Sequence, residues 1–313
     1  MMVRSAALLV VLVLCADSQD YCYHEPDCDP YAWGDFFPSC HPLLGGHHSP
    51  INLDHHMVRN LSLGPLHLEG FDETQTGQWT LENDGHSVLL QVGSGMSVSG
   101  GGLPGVYHTV QVHFHWGDPS TNGSEHTVDG RRYPMEMHIV NMKSIHPNVS
   151  AAEEDPTGFA VLGFFIDVVY ADNVHFSHIS QKLSSVAYRG QMTGIKPFPL
   201  LSLLPKLNMS QYYRYSGSLT TPPCSQAVVW TLYEVPIYIS WSQLAQFTSQ
   251  IFSTEEDAAQ VTPLQNNFRH LHTRFSRTVS ASRDARLLRG TADPLTLLSM
   301  RLLHIVVLGQ FYL

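Results

Sequence analysis

The chain has 313 residues and no Gly-, Ser- or Pro-rich linker, which favours one large domain over two. Hydrophobic residues make up 43% of it and charged residues only 14%, a composition that supports a sizeable core and is unlike a disordered protein. The formal net charge is −10, and no basic run interleaves with aromatic residues. These features exclude nucleic acid as a partner.

The first 18 residues have the pattern of a secretory signal peptide. Arg4 precedes an apolar stretch from Ala6 to Cys15, and the small residues Ala16 and Ser18 follow at the position of signal-peptidase cleavage. A membrane anchor is the alternative, but the run is too short to span a bilayer. We predict that residues 1–18 are removed, that residues 19–280 form the folded domain, and that the protein is extracellular.

The cysteines and the sequons fit an oxidising, secretory compartment. Four cysteines remain after the signal peptide: Cys22, Cys28, Cys40 and Cys224. An even number suggests two disulfides, with three possible connectivities, and free structural thiols are the weaker alternative. Candidate glycosylation sites of the Asn-X-Ser type occur at Asn60, Asn122, Asn148 and Asn208.

The middle of the chain is predicted to be mainly β-strand. Apolar and polar residues alternate in residues 87–92, 109–116, 135–141 and 159–168, and turns rich in Gly, Asp, Asn and Pro separate these runs. One convincing helix covers residues 241–252, where Leu244, Phe247 and Ile251 recur at helical spacing and Ser240 or Ser242 caps the start.

Histidines on two of these strands form a candidate metal site. Successive side chains of a strand point to opposite faces, so His113 and His115 share a face with Gln111, and His138 shares one with Glu136. If the strands pair, three imidazoles converge. Three neutral imidazoles with an open fourth position are typical of catalytic zinc, and Gln111 and Glu136 suit the orientation of the imidazoles. A chance alternation in a chain with 19 histidines is the alternative.

The chain ends in a tail, residues 281–313, that has the order of a glycolipid-anchor signal. A polar spacer follows the small residues Ser280, Ala281 and Ser282, and an apolar terminal stretch comes after it. Arg301 and His304 interrupt that stretch, and a charge inside such a segment is costly. An amphipathic C-terminal helix of a simply secreted protein is the alternative.

Several long motifs, in a fixed order, resemble the signature segments of the α-class carbonic anhydrases. They are Gln111-Val-His-Phe-His-Trp-Gly117, Gly123-Ser-Glu-His-Thr-Val-Asp129, Glu136-Met-His-Ile-Val140 and Gly217-Ser-Leu-Thr-Thr-Pro-Pro-Cys224. The resemblance covers roughly residues 21–280. The cysteine pattern is most similar to that of the membrane-anchored isozymes IV and XV, which implies disulfides Cys22–Cys28 and Cys40–Cys224.

The resemblance implies a mainly β (α+β) fold: a single domain on a large twisted, mostly antiparallel sheet, with short peripheral helices and a conical cavity. It implies Zn2+ as cofactor on His113, His115 and His138, and hydration of carbon dioxide to bicarbonate by a zinc-bound hydroxide. The lipid anchor would hold the protein at a membrane, and we expect a monomer.

The resemblance also assigns roles around the metal. Thr220 would accept a hydrogen bond from the hydroxide and donate one to Glu125. The alternative is that Glu125 is an ordinary acidic residue of a surface loop. His86 would carry the proton to solvent, although it could instead be an ordinary exposed histidine of a turn. Thr221 would contact bicarbonate. An apolar wall for carbon dioxide, or else plain core, would comprise Val140, Val161, Leu219, Val228 and Trp230.

Some residues depart from the family pattern without removing a metal ligand. His48 replaces a usual Gln, Tyr21 a common Trp, Asp84 a usual Asn, and His270 a usual Pro. A non-catalytic carbonic anhydrase-like binding protein is the rival function. Such proteins have typically lost one of the three histidines, whereas this chain keeps them all. A zinc peptidase is disfavoured because no His-Glu-x-x-His helix motif is present.

Overall fold

The computed structural model describes residues 21–286, except residue 26, residues 44–45 and residues 206–208. The expected signal peptide, most of the C-terminal tail and the sequon at Asn208 lie outside the described residues. No helix in the described part has the length and apolar character needed to cross a membrane.

The described chain is built mainly from strands. The strands are β1 (Asn52–Leu53), β2 (Val58–Arg59), β3 (Leu66–Glu69), β4 (Trp79–Asn83), β5 (Val88–Gln91), β6 (Ser97–Gly100), β7 (Tyr107–Trp116), β8 (Thr127–Val128), β9 (Arg131–Arg132), β10 (Met135–Lys143), β11 (Phe159–Val169), β12 (Met192–Ile195), β13 (Tyr212–Gly217), β14 (Val228–Ser240) and β15 (Ser280–Ala281). The four strands expected from alternation correspond to β5, β7, β10 and β11, with ends shifted by no more than two residues.

One twelve-stranded sheet organises the domain. Its order is β12-β4-β5-β7-β10-β11-β14-β13-β15-β2, with β6 paired to β7 and β3 paired to β6. The β11–β14 and β15–β2 pairs are parallel, and the other pairs are antiparallel. A small second sheet has the order β1-β8-β9. The expected mainly β fold on a large, mostly antiparallel sheet is confirmed.

The helices are short and peripheral. They are α1 (Trp33–Phe36), α2 (Val149–Glu153), α3 (Ser177–Ser180) and α4 (Trp241–Gln250), with 3-10 helices at Pro38–Cys40, Leu183–Val186 and Leu200–Leu203. Helix α4 begins where sequence reasoning expected it. Of the two candidate caps, Ser240 is the cap: its hydroxyl accepts a hydrogen bond from Gln243 N, and the Gln243 side chain bonds back to Ser240 N. The apolar face of α4 places Phe247 against Phe114 and Trp116.

Two disulfides fix the N-terminal segment and the loop after β13. Cys22 pairs with Cys28, and Cys40 pairs with Cys224 across 184 residues. Both pairings confirm the connectivity that the resemblance implied. The Cys40–Cys224 bridge packs against buried Trp33, so the N-terminal segment is attached beside the loop that contains Thr220 and Thr221.

The packed part of the chain continues past the boundary expected at residue 280. Ser280 and Ala281 pair with β13 and with β2. Ala281, Ser282 and Ala285 are buried, and the Ser282 hydroxyl donates to Ser210 O. The small residues 280–282 are therefore part of the folded domain.

Candidate metal centre

The two strands predicted to hold the histidines are neighbours in the sheet. In the antiparallel register His138 lies opposite His113, and Glu136 lies opposite His115. Alternation on β7 and this register place all three imidazoles on one face. One nitrogen of each ring lies within 4.8 Å of the others. The convergence predicted from spacing is thus present in the fold.

Each of these imidazoles is oriented by a hydrogen-bond acceptor on its other nitrogen. His113 Nδ1 lies 2.9 Å from Gln111 Oε1, and His138 Nε2 lies 2.7 Å from Glu136 Oε1. His115 Nδ1 lies 2.7 Å from the backbone oxygen of Asn267. Because these oxygens only accept, the facing nitrogens carry the protons, and the remaining nitrogens point inward as lone pairs.

The inward lone pairs are spaced to bind one cation. His138 Nδ1 and His113 Nε2 are 3.2 Å apart, and two unprotonated nitrogens cannot hydrogen-bond to each other. Two nitrogens bound tetrahedrally to zinc at about 2.0–2.1 Å lie about 3.3 Å apart, so this spacing fits a shared metal. His115 Nε2 is buried and has no hydrogen-bond partner among the described residues. The donor set therefore fits a metal ion.

Electrostatics favour the neutral forms of His113 and His115 and the ionised form of Glu136. Burial, followed by the neighbouring His115 and His138, lowers the pKa of His113 well below its usual range. Burial alone would raise the pKa of Glu136, but the charge and hydrogen bonds of His126, together with His138, lower that pKa well below its usual range. A neutral imidazole is the form that binds metals.

His126 also contacts the Glu136 carboxylate and holds it in place. Its Nδ1 lies 2.7 Å from Glu136 Oε1, and its backbone N–H donates to Glu136 Oε2 at 2.8 Å. Its Nε2 lies 2.6 Å from the Tyr215 hydroxyl, which donates to Ser49 Oγ. This fully buried chain fixes the rotamer of Glu136 and hence the ring of His138.

Glu125 and Thr220 lie beside the triad. Glu125 is fully buried, and its Oε1 accepts a hydrogen bond from Arg269 N at 2.9 Å. Its Oε2 lies 3.5 Å from His115 Nε2 and has no hydrogen-bond partner among the described residues. Thr220 is buried and lines the same cavity as His113 and His138. The structure does not show the expected Thr220–Glu125 hydrogen bond, which stays a prediction.

A cavity of about 280 Å³ opens from the triad. Its polar end is formed by His113, His138, Thr220 and Thr221. The apolar wall includes four of the five residues expected there, Val140, Val161, Leu219 and Trp230. The fifth, Val228, is fully buried in the adjoining core and does not line this cavity. A small apolar molecule can therefore approach the triad along one side.

A second space, of about 80 Å³, connects His86 with the triad. Its lining includes His113, His115 and Thr221 at one end and His86 and Tyr21 at the other. This volume is sufficient for a few water molecules. The His86 ring stacks on Tyr21 with centroids 3.9 Å apart, so Tyr21 replaces the family's usual Trp with another aromatic partner.

Asp84 and Asn267 fix the backbone around His86. The Asp84 carboxylate accepts hydrogen bonds from the backbone N–H of His86 at 2.8 Å and of Ser87 at 2.7 Å. The Asn267 amide donates to His86 O at 2.9 Å. The Asp at position 84 thus closes the turn, and Asn267 links that turn to the metal centre because its own carbonyl orients His115.

Sequence reasoning missed two of these residues. His126 lies next to Glu125 inside one of the motifs quoted above, and its role could have been found by asking which residue donates hydrogen bonds to buried Glu136. Asn267 acts on His115 through its backbone oxygen, so its side-chain identity gives no signal for that contact. The side chains of three candidate glycosylation sites make local hydrogen bonds: Asn122 donates to Arg132 O, Asn148 caps α2, and Asn60 accepts from Ser62.

Comparison with known proteins defines the class. A model of the family described as eukaryotic-type carbonic anhydrase matches residues 28–283. The chain therefore belongs to the eukaryotic-type carbonic anhydrases, which are carbonate dehydratases.

Individual relatives cover most of the chain. Carbonic anhydrase 15 of Mus musculus is 39% identical over 289 residues, covering 89% of this chain and 88% of the relative. Carbonic anhydrase 12 of Homo sapiens is 35% identical over 290 residues, with coverages of 89% and 80%. Carbonic anhydrase 4 of Oryctolagus cuniculus is 36% identical over 245 residues, with coverages of 76% and 76%. The expected similarity to isozymes IV and XV is confirmed.

Proposed function

We propose that the protein catalyses the reversible hydration of carbon dioxide to bicarbonate and a proton, with zinc held by His113, His115 and His138. The convergence of three imidazole lone pairs beside an apolar-walled cavity supports this proposal. A zinc ion bound there would act as a Lewis acid and lower the pKa of water to about 7, a value for which carbonic anhydrase is itself the reference case.

The surrounding side chains would orient the reactants. Glu125 Oε2 would accept a hydrogen bond from the Thr220 hydroxyl, which leaves the Thr220 oxygen to accept a hydrogen bond from the attacking water or hydroxide. Val140, Val161 and Trp230 would hold carbon dioxide at the apolar wall, where it displaces water at little cost. Thr221, which lines both cavities, would contact bicarbonate as it leaves.

His86 would remove the proton that hydration releases. Histidine gains and loses protons near neutral pH, and waters in the small space between His86 and the triad would connect the two. The backbone hydrogen bonds from Asp84 and Asn267 hold this residue at the mouth of that space. His86 would then pass the proton to buffer in the surrounding solvent.

The decisive experiment is stopped-flow hydration of carbon dioxide by the purified domain, with zinc per chain measured in parallel. We expect a rate that disappears with chelation and returns with stoichiometric zinc. Zinc bound in stoichiometric amount without any catalysed hydration would favour the rival binding protein, and a catalysed rate that survives complete zinc removal would contradict the assigned cofactor.

We further propose that the protein works as a monomer outside the cell, attached to the membrane by a glycolipid or simply secreted. The two disulfides support an oxidising compartment. Because residues 280–282 are packed in the folded domain, we place lipid attachment after Ala285, and Gly290-Thr-Ala292 supplies small residues there. Release from intact cells by phosphatidylinositol-specific phospholipase C would support the anchor, whereas full retention would contradict it.

A further inference from the structure

Arg214, on β13, is a buried cation without a carboxylate partner. Its side chain is 8% exposed. Nε donates to Thr231 Oγ1 at 3.1 Å and Nη1 donates to Gly101 O at 2.8 Å, but no described residue accepts a hydrogen bond from Nη2. None of the salt bridges found among the described residues includes Arg214. Buried arginines are as a rule paired with an anion, so Arg214 lacks the anionic partner that such a residue usually has.

The ionisable groups around Arg214 do not supply an anionic partner. Burial lowers the pKa of Arg214, and the groups that oppose this shift are the phenols of Tyr212, Tyr233 and Tyr107. Burial raises the pKa of Tyr107 to about 12 and also raises the pKa of Tyr212 and Tyr233. These phenols are therefore neutral at physiological pH. The Arg214 guanidinium lies 5.3 Å from the centre of the Tyr212 ring, a cation–π contact, but no carboxylate of the described residues pairs with it.

A cavity of about 330 Å³ lies next to Arg214, within the size range of small-molecule sites. Its polar lining includes Arg214 and the neutral residues Asn60, Thr157, Ser216, Thr278 and Ser280, and none of the described acidic residues lines it. Strand alternation places Ser216 on the same face of β13 as Arg214, and Ser280 is the β15 partner of Arg214. This cavity shares no lining residue with the cavity at the histidine triad.

We propose that this cavity binds a small oxyanion of the bicarbonate, phosphate or sulfate type, with Arg214 as its charged ligand. A guanidinium presents parallel N–H donors that match the oxygens of such anions, and the hydroxyl and amide groups of the lining add neutral donors. A second buried guanidinium, that of Arg277, donates to Ser216 O at 3.4 Å and reinforces the positive potential. The site is separate from the proposed reaction centre.

The test uses the zinc-loaded protein and thermal unfolding at constant ionic strength. Bicarbonate, phosphate and sulfate would each be titrated to about 50 mM against sodium chloride as filler. We expect at least one of them to raise Tm saturably by about 2 °C or more, as a ligand specific to the folded state does. The Arg214→Gln variant should lose this rise, and Arg131→Gln, which alters an exposed arginine paired with Asp167, should keep it.

A second pair of variants removes the dependence on whether Arg214→Gln folds. Ser216→Glu would place a carboxylate two residues from Arg214 on the same strand face, so we expect a higher Tm without added anion and no further rise with it. Ser216→Gln, its neutral match, should respond like the wild type. Equal anion-dependent rises in wild type and Ser216→Glu, or no rise in the wild type, would overturn the proposal. Turnover is not part of this readout, so failure of the proposed reaction would not change it.

Discussion

Two clusters of three histidines lie in the described structure, and only one of them has the geometry of a metal site. In the triad, Gln111, Asn267 and Glu136 each hold one ring nitrogen and direct the other inward. The second cluster comprises His48, His270 and His272, with ring centroids 5.1 Å apart for His48–His272 and 4.6 Å apart for His270–His272.

In the second cluster His48 Nε2 lies 3.1 Å from His41 O, but the ring nitrogens do not converge. Among the described residues, His270 Nδ1 and His272 Nε2 have no hydrogen-bond partner, and the cluster is not one of the groups whose ligand atoms lie within 4.8 Å. Buried Arg269 lies nearby and lowers the pKa of both histidines after burial itself. The comparison shows that an acceptor on every ring together with convergence of the other ring nitrogens, rather than the number of neighbouring histidines, distinguishes the candidate metal site.

The largest expected effect separates the clusters directly. His115→Gln removes a ligand and its lone pair, so we expect loss of zinc and a fall in carbon dioxide hydration of about 1,000-fold or more. His272→Gln, the matched change in the second cluster, should leave both unchanged. Zinc per chain and stopped-flow rates measure the outcome, and equal zinc loss in the two variants would erase the distinction.

The second cluster should instead determine acid sensitivity. Burial and then Arg269 lower the pKa of His272 to about 2 and that of His270 to about 4. Below pH 6.5 these two histidines bind protons in the unfolded chain but not in the folded chain. Their contribution to the free energy of unfolding is therefore fully present above pH 6.5 and is lost as the pH is lowered towards 4. His272→Gln should reduce this loss by about 2–3 kcal/mol over that range.

Urea unfolding at several pH values would measure how the free energy of unfolding depends on pH. The exposed histidine His67, changed to Gln, is the control and should show the wild-type dependence. A wild-type slope in His272→Gln would contradict the assignment of acid sensitivity to this cluster.

Removing an orienting acceptor should weaken the triad without removing a ligand. Gln111→Leu leaves His113 Nδ1 without its partner, and we expect zinc affinity to fall about 10- to 100-fold in chelator competition. Gln91→Leu is the matched control and should keep the wild-type zinc affinity, because Gln91 lies opposite Gln111 on β5 and lines the same cavity. Wild-type affinity in Gln111→Leu would mean that ring packing alone orients His113.

The smallest effect concerns a histidine outside both clusters. His86→Ala should slow turnover about 10-fold at low buffer concentration, leave zinc content unchanged, and recover when imidazole is added. A rate equal to that of the wild type at low buffer would show that protons leave the site by another route.

Most of the metal centre could be predicted because its determinants are local. Period-two alternation placed His113, His115 and Gln111 on one strand face, and the same rule placed Glu136 with His138. Strand ends and the capped start of α4 followed from alternation and from Ser240 in the same way. The resemblance, rather than the residues alone, selected the disulfide pairing.

The sequence by itself determined which side chains share a face, which compartment suits the cysteines, and which family the motifs resemble. Only the tertiary structure decided that β7 and β10 pair with His138 opposite His113, that the carbonyl of Asn267 orients His115, and that Arg214 is buried without a carboxylate. The reason is physical: facing and spacing are properties of one strand, whereas burial, backbone acceptors and missing counter-charges depend on residues far apart in the chain.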